Sequence, residues 1–182
     1  MIRYSAQSFI KDRINLIDNN DFYTLFEEAR HTLMDDQRRE LIKLLDSAEI
    51  NYLDHMAVIN ANLFQRSSRR MYDIPSNIEI IEHHAFAYSS VAYCNIAEGC
   101  TILGKGCFQG SSLEELHLPK SIKIIRSLCF SDINDTIIIN YAGTADEWAS
   151  ILKEDNWFTS PETSLEMYIR CRNGLITEVA NK

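Results

Sequence analysis

Apolar residues in the first third of the chain recur at helical spacing. Those within 9–17 share one face of a helix, those within 22–29 form a second face, and those within 41–48 form a third. A short fourth helix is predicted over 52–56. Isolated helices of this length are only marginally stable, so we expect them to pack together or onto the rest of the chain. The pattern predicts helical structure over residues 1–62.

Polar residues mark the expected beginnings of these helices. Ser5 or Ser8 would cap the first helix, because a side-chain oxygen can accept a hydrogen bond from a free backbone N–H of the first turn. Asn20 or Asp21 would cap the second in the same way. The third is expected to begin at the acidic pair 35–36, since carboxylates are stabilised at a helix N-terminus. The sequence therefore predicts a small bundle of separate helices.

Beyond residue 74 the apolar spacing becomes that of short strands, and a phenylalanine returns every 22 residues, at Phe86, Phe108 and Phe130. A fixed period of this length is typical of a solenoid, in which each repeat buries its apolar face by stacking on the next. About three repeats are present, and each contains two runs of alternating apolar residues that predict strands. A small residue precedes each phenylalanine: Ala85, Cys107 and Cys129.

The end of the array carries different signals. The apolar run 137–139 predicts a strand, and Thr144 with Glu147 forms a capping box that predicts a helix from Ala145. Trp148 lies on the apolar face of that helix, which suits a terminal cap for the solenoid. Finally, an Asn-Gly pair lies between two alternating apolar runs within 165–179, which predicts a β-hairpin.

A polar stretch at 66–70 is the best candidate for a junction, and its shortness predicts docking rather than a flexible linker. We therefore expect a helical head over 1–66 and a solenoid with its cap over 67–182. The expected fold class is α+β: a small N-terminal helical bundle, a short β-solenoid, a capping helix and a C-terminal β-hairpin.

The repeats resemble the BspA-type leucine-rich repeat. The similar stretches run from Ile74-Pro75 to Phe86, from Ile96 to Phe108, and from Leu118-Pro119 to Phe130. The tail YAGTADEWASI and the closing MYIRCRNGLIT are similar to the end of that family, so the resemblance covers about residues 60–180. Two departures stand out: Ala97 replaces the usual proline, and the third repeat is about one residue longer within 133–136.

This resemblance implies a protein-binding solenoid. Exported members are surface adhesins, but the N-terminus of this chain reads as a helix and lacks the pattern of a signal peptide, so we expect a cytoplasmic protein. The arrangement is similar to short, unexported proteins encoded by bacteriophages and other mobile elements. The leading hypothesis is a non-catalytic interaction module, a phage factor that binds and modulates a host cytoplasmic protein. The alternative is a structural or assembly component of a virion or another complex.

Charge narrows the range of partners. The net charge is −8, and residues 71–182 carry 15 Asp and Glu against 8 Lys and Arg. An acidic surface repels phosphate, so nucleic acid is not an expected partner, whereas a basic protein is. Such a surface also serves simply for solubility. No apolar run is long enough to span a membrane, and a homo-oligomer remains open.

Residues that suggest chemistry have simpler explanations. The five cysteines lack metal-knuckle spacing and are interpreted as reduced thiols, of which Cys100, Cys107 and Cys129 occupy core positions of the repeat. The glycines of 104–110 fit a repeat turn better than a phosphate loop, and 83–84 is a turn with two histidines. We find no catalytic arrangement, and we expect no cofactor and no metal.

Strand register picks out a candidate partner surface. If the apolar residues of 113–118 point inward, the residues between them face outward, and the same offsets recur in each repeat. An exposed Tyr beside Met and Ile suits an interface, although a solvated sheet face fits as well. The outward ladders are Met71, Tyr93, Glu115, Ile138 and Asp73, Asn95, His117, Asn140.

Two other surfaces remain open as binding elements. In the head they are Tyr23, Arg38, Arg39 and Tyr52. At the junction, Arg66, Arg69, Arg70 and Lys105 form either a patch for phosphate or an acidic partner, or a solvated face paired with acids such as Asp73.

Overall fold

Four α-helices and one turn of 3₁₀ helix begin the chain in the computed structural model. It describes residues 5–133, 136–159 and 166–180. The helices are α1 (Ala6–Asp12), α2 (Ile14–Asp18), α3 (Phe22–Thr32), α4 (Asp35–Ser47) and the 3₁₀ helix (Tyr52–His55).

For each of the first two predicted helices, one of the two candidate residues forms the cap. Ser5 Oγ accepts from the backbone N–H of Ser8 at 3.1 Å, and Asp21 Oδ1 accepts from that of Thr24 at 3.2 Å. The expected first helix is wrong in one respect, because it breaks at Arg13, where φ is −126°. There the Arg13 side chain pairs with a glutamate of α3, and α2 turns to pack along α3.

Eleven strands in the described residues form two sheets that run along the rest of the chain. One sheet has the order β1-β3-β5-β7-β9, and the other has the order β11-β10-β8-β6-β4-β2. The five-stranded sheet contains β1 (Val58–Ile59), β3 (Ile80–Ile81), β5 (Ile102–Leu103), β7 (Ile124–Ile125) and β9 (Leu152–Lys153). The six-stranded sheet contains β2 (Met71–Ile74), β4 (Tyr93–Ile96), β6 (Glu115–Leu118), β8 (Ile137–Tyr141), β10 (Glu166–Cys171) and β11 (Gly174–Val179).

Parallel pairing in register makes this a β-solenoid, which confirms the predicted fold class. Ile80 pairs with Ile102, which pairs with Ile124, so residues 22 positions apart lie side by side. Between β6 and β8 the offset is 23, since Glu115 pairs with Ile138. The extra residue predicted in the third repeat is therefore accommodated without a change of sheet face.

A column of phenylalanine rings fills the space between the sheets. Phe86 and Phe108 stack with ring centroids 5.1 Å apart and planes 6° apart, and Phe108 and Phe130 stack at 5.8 Å and 4°. The column also contains Phe64, which stacks on Phe86 at 5.1 Å. Phe64 lies 22 residues before Phe86, so a further turn of the solenoid precedes the first repeat that the sequence predicted at Ile74.

This earlier turn corrects the prediction that helical structure extends to residue 62. Strand β1 pairs with β3, and Phe64 N–H donates to the carbonyl of Ala85 at 2.8 Å. A two-residue strand is too short to show alternation, which is why the pattern missed it. Strand pairing begins at Val58, which lies inside the range 1–66 assigned to the head. The division of the chain into two domains stays a prediction.

The C-terminal cap forms as predicted. Thr144 Oγ1 accepts from Glu147 N–H at 3.2 Å, and Glu147 Oε2 accepts from Thr144 N–H at 2.8 Å. These bonds begin α5 (Ala145–Ser150), whose Trp148 is buried with its ring 5.5 Å from that of Tyr141. The predicted hairpin is β10 and β11, and β10 also pairs in parallel with β8, which extends the six-stranded sheet past the cap.

Replacing Phe108 with alanine tests the ring column. The substitution opens a cavity between two stacked rings, so we expect the free energy of unfolding to fall by about 3–5 kcal/mol in urea titrations. Tyr23→Ala on α3 is the control, because Tyr23 is 43% exposed and its loss is expected to change stability by about 0.5 kcal/mol or less. Equal effects of the two substitutions would contradict the stacked core.

Candidate functional site

The outer face of the six-stranded sheet brings the predicted ladder residues into register. Met71 pairs with Tyr93, Tyr93 with Glu115, and Glu115 with Ile138. In the neighbouring ladder Asn95 pairs with His117, and His117 with Asn140. Inward residues of the same strands, such as Cys94 and Leu116, are buried, so the alternation that predicted the outward set is present. That these residues bind a partner stays a prediction.

Strand β10 adds two residues that sequence reasoning missed. Tyr168 lies beside Ile138 and Arg170 beside Asn140, so each ladder gains a further member. The alternation in 165–169 indicated a strand, but it did not indicate that this strand would join β8 across the intervening helix α5. Tyr168 OH donates to Glu166, which places a phenol and a carboxylate together at this end of the face.

Polar side chains in the middle of the face are tied to one another. His117 Nε2 lies 3.0 Å from Glu115 Oε1 and 3.1 Å from Asn140 Nδ2, and Asn140 also donates to Glu115 at 2.6 Å. Nε2 donates to the carboxylate in one tautomer and accepts from the amide in the other. The Tyr93 ring lies 5.3 Å from the imidazole. These contacts hold the side chains in place before any partner arrives.

A shallow cavity of about 320 Å³ lies beside this polar cluster. Its walls include Asn95 and His117 from the ladders together with Glu98 and Tyr141. Glu98 is engaged already, since its carboxylate accepts from the backbone N–H groups of Lys120 and Ser121 at 2.9 and 3.1 Å. The cavity therefore offers amide and imidazole groups for hydrogen bonding rather than an unpaired acid.

A larger cavity of about 510 Å³ lies between α4 and the first turn of the solenoid. We call it the junction cavity. Ile42, Leu63 and the edge of buried Phe64 and Tyr72 form its apolar side. Its polar side is basic, and the polar residues that line it are Arg39, Lys43, Asp46, Gln65, Arg66, Ser67, Ser68 and Arg69.

The basic cluster at the junction contains only two of the four residues that the sequence predicted for it. Arg66 and Arg69 line the junction cavity, but Arg70 pairs with Glu114 at 3.1 Å, and Lys105 is not among the lining residues. Arg39 and Lys43 of α4 join the cluster instead. Sequence reasoning missed Lys43, because only the docking of α4 brings residues this far apart in the chain together.

Two of the other head candidates, Tyr52 and Arg38, make contacts within the head. Tyr52 is buried, and its hydroxyl donates to Asp46 at 3.2 Å; burial raises its pKa well above the usual value. Arg38 pairs with Asp35 and donates to the carbonyl of Leu33 at 3.1 Å, near the end of α3. Burial therefore removes Tyr52 from the candidate surface, whereas Arg38 is partly exposed and Tyr23 is exposed on α3, and binding by these two stays a prediction.

The core cysteines are buried as predicted. Cys94, Cys100, Cys107 and Cys129 are inaccessible to solvent, and Cys107 Sγ lies 3.3 Å from Cys129 Sγ. Burial raises the pKa of Cys94 and Cys107 and raises that of Cys100 to about 12. A thiol that stays protonated is a poor nucleophile and a poor metal ligand. Within the described parts of the chain no three His, Cys, Asp or Glu side chains are grouped to hold a metal.

The glycines that faintly suggested a phosphate loop lie in a repeat turn. A Cβ at Gly104 would lie 2.5 Å from the carbonyl carbon of Glu82 in the preceding turn, so the close packing of two backbones requires glycine there. His83 and His84 lie in the turn before it, with their ring centroids 5.8 Å apart. Partial burial and the neighbouring charges of His83 and Lys105 lower the pKa of His84.

Comparison with known proteins identifies the repeat. A family model described as BspA type leucine-rich repeat region matches residues 45–143 in six copies. The match begins upstream of Ile74, in agreement with the additional turn that contains Phe64. No curated protein and no solved structure is significantly similar to the chain. None of the helices in the described residues is long and apolar enough to cross a membrane.

Thiol accessibility tests the burial of the cysteines. We expect an aromatic disulfide reagent at about pH 8 to modify only Cys171 in the native protein, because Cys171 is half-buried and the other four thiols are fully buried. All five react after unfolding. In the control variant Cys171→Ser the native protein is expected to be unreactive. Rapid native modification of that variant would contradict the placement of the other thiols.

Proposed function

Since the chain belongs to the BspA-type leucine-rich repeat family, we propose that it acts as a non-catalytic protein-interaction module and binds through the outer face of its six-stranded sheet. Leucine-rich repeats generally mediate protein–protein interactions, and stacked repeats create extended binding surfaces. The observation that carries the proposal is the pair of in-register ladders on that face, which runs from β2 to β10.

The chemistry of the ladders suits a protein partner. Met71 is 59% exposed at one end, and Tyr93 and Tyr168 present rings along the same ladder. Aromatic residues and Met are enriched at the centres of interfaces, and Tyr supplies its contact area at a small entropic cost. The strands that carry the two tyrosines, β4 and β10, each pair with a neighbour on both sides, so little further ordering is needed there when a partner binds.

We further propose that the partner presents a basic surface. Residues 71–182 are strongly acidic, and Asp73 and Glu115 lie on the ladder face itself. Opposite charge accelerates association and disfavours incorrect partners. The setting we propose is the cytoplasm of a bacterium, where a phage-encoded factor of this type would bind and modulate a host protein.

A second candidate function is structural, in a virion or another assembly. The observation that favours it is β11, the last strand of the six-stranded sheet, whose outer edge pairs with no other strand in the described residues. Leu175 and Val179 on this strand are 62% and 57% exposed. An exposed apolar edge strand is a template for pairing with another chain, including a second copy of this one.

Affinity purification with ladder variants tests the primary proposal. The bait is the tagged full chain in host lysate, with bound proteins quantified by mass spectrometry. We expect Met71→Ser combined with Tyr93→Ser to reduce recovery of a specific partner about tenfold or more, because exposed interface anchors are lost.

Tyr23→Ser is the matched control, since it removes an exposed aromatic residue from the head. Its partner recovery is expected to equal that of the unaltered protein. If Tyr23→Ser alone abolished recovery, the binding surface would be the head and the ladder proposal would be wrong. Finding no specific partner with the unaltered bait, but the chain itself within purified particles, would favour the structural function.

Light scattering after size exclusion tests self-association through β11. If two β11 edges pair, the unaltered chain is expected to run at twice its 21.0 kDa mass at high concentration, and Val179→Lys is expected to return it to a monomer. Met34→Lys is the control, because Met34 is 64% exposed in the head. A monomer at all concentrations would contradict this pairing.

A further inference from the structure

We infer that the junction cavity is a binding site for a small organic phosphate. This inference concerns a surface distinct from the ladders and does not depend on the proposed protein partner. The cavity lies where α4 docks against 63–69, and meeting points between structural units are common places for ligand sites. Its volume of about 510 Å³ suits a molecule of nucleotide size.

Charge is the first argument for an anionic ligand. Arg39, Lys43, Arg66 and Arg69 contribute four cationic groups to the lining, against one carboxylate from Asp46. None of these four cations forms an ion pair with a described residue, whereas Arg13, Arg30 and Arg38 elsewhere in the head are paired with acids. A concentration of unpaired positive charge in an otherwise acidic protein attracts a compact anion.

Neutral hydrogen-bond donors are the second argument. Ser67 Oγ and Tyr72 OH are hydrogen-bonded to each other at 2.7 Å, which leaves one hydroxyl proton of the pair for a ligand, and Ser68 is exposed beside them. Burial raises the pKa of Tyr72 to about 12, so its hydroxyl keeps its proton near neutral pH. Arginine and hydroxyl groups together match the several acceptor oxygens of a phosphate.

The shape of the cavity favours a small molecule over a polymer. Ile42 and Leu63 are half-buried and form the apolar wall of the cavity, where the carbon portion of a ligand would pack. Beyond the cavity the acidic solenoid would repel the continuing chain of a nucleic acid. In a phosphate attached to a compact organic group, the phosphate would contact the cationic residues and the organic group would pack against the apolar wall.

Such a ligand would connect two parts of the protein. Arg39 and Lys43 belong to α4, whereas Arg66 and Arg69 follow the first solenoid turn. A ligand that contacts both sets binds only when they are docked, and so it stabilises the folded protein by mass action. Binding is therefore expected to be visible as an increase in the melting temperature.

The experiment measures calorimetric binding and the melting temperature of the full chain at constant ionic strength. The probes are inorganic phosphate, adenosine 5′-monophosphate and, as an anion without phosphorus, citrate. We expect saturable binding of both phosphate probes, with the nucleotide the tighter because it also contacts the apolar wall, and no saturable binding of citrate. Tighter or equal binding of citrate would overturn the assignment to phosphate, as would the absence of saturable phosphate binding.

Charge-matched variants locate the site. Arg39→Gln combined with Lys43→Gln removes two lining cations and is expected to weaken nucleotide binding about tenfold or more. Arg70→Gln combined with Lys105→Gln removes the same charge outside the cavity and is expected to leave binding unchanged. All four side chains are at least partly exposed, so both variants are expected to fold, with unfolding monitored by circular dichroism. Equal weakening in the two variants would overturn the site.

Discussion

The stacking of one 22-residue turn on the next is the constraint on which the rest of the structure depends. A strand of two to four residues cannot bury its apolar side alone, so each turn gains its core only from its neighbours. The rings of Phe64, Phe86, Phe108 and Phe130 form the centre of this stack. Because inward residues repeat in register, outward residues must repeat in register as well, and the ladders on the sheet face are a direct consequence.

The same stack continues into the head through aromatic contacts. The ring of Tyr52 lies 6.5 Å from Phe64 on one side and 5.4 Å from Phe26 of α3 on the other. At the opposite end, Trp157 packs against Phe130 and the capping residue Trp148. Helices, solenoid and cap thus share one apolar core, and the junction cavity lies where the helices meet its first turn.

Sequence patterns predicted those features that depend on local spacing. The register around Phe108, the burial of Cys107 and the capping box at Thr144 all follow from residues close together in the chain. Strand β1 was missed because two residues carry no period, although the 22-residue offset from Phe86 back to Phe64 was available as a signal. No pattern of neighbouring residues indicates that β10 pairs with β8 or that Lys43 and Arg66 line the same cavity. Both depend on how distant parts of the chain pack together.

Calorimetric unfolding of the full chain tests the continuous core most directly. If the aromatic stack joins the head to the solenoid, the protein is expected to unfold in a single transition whose calorimetric and van't Hoff enthalpies agree. Two separate transitions, with the helices melting before the strands, would contradict the claim that Phe64 links both parts into one cooperative unit.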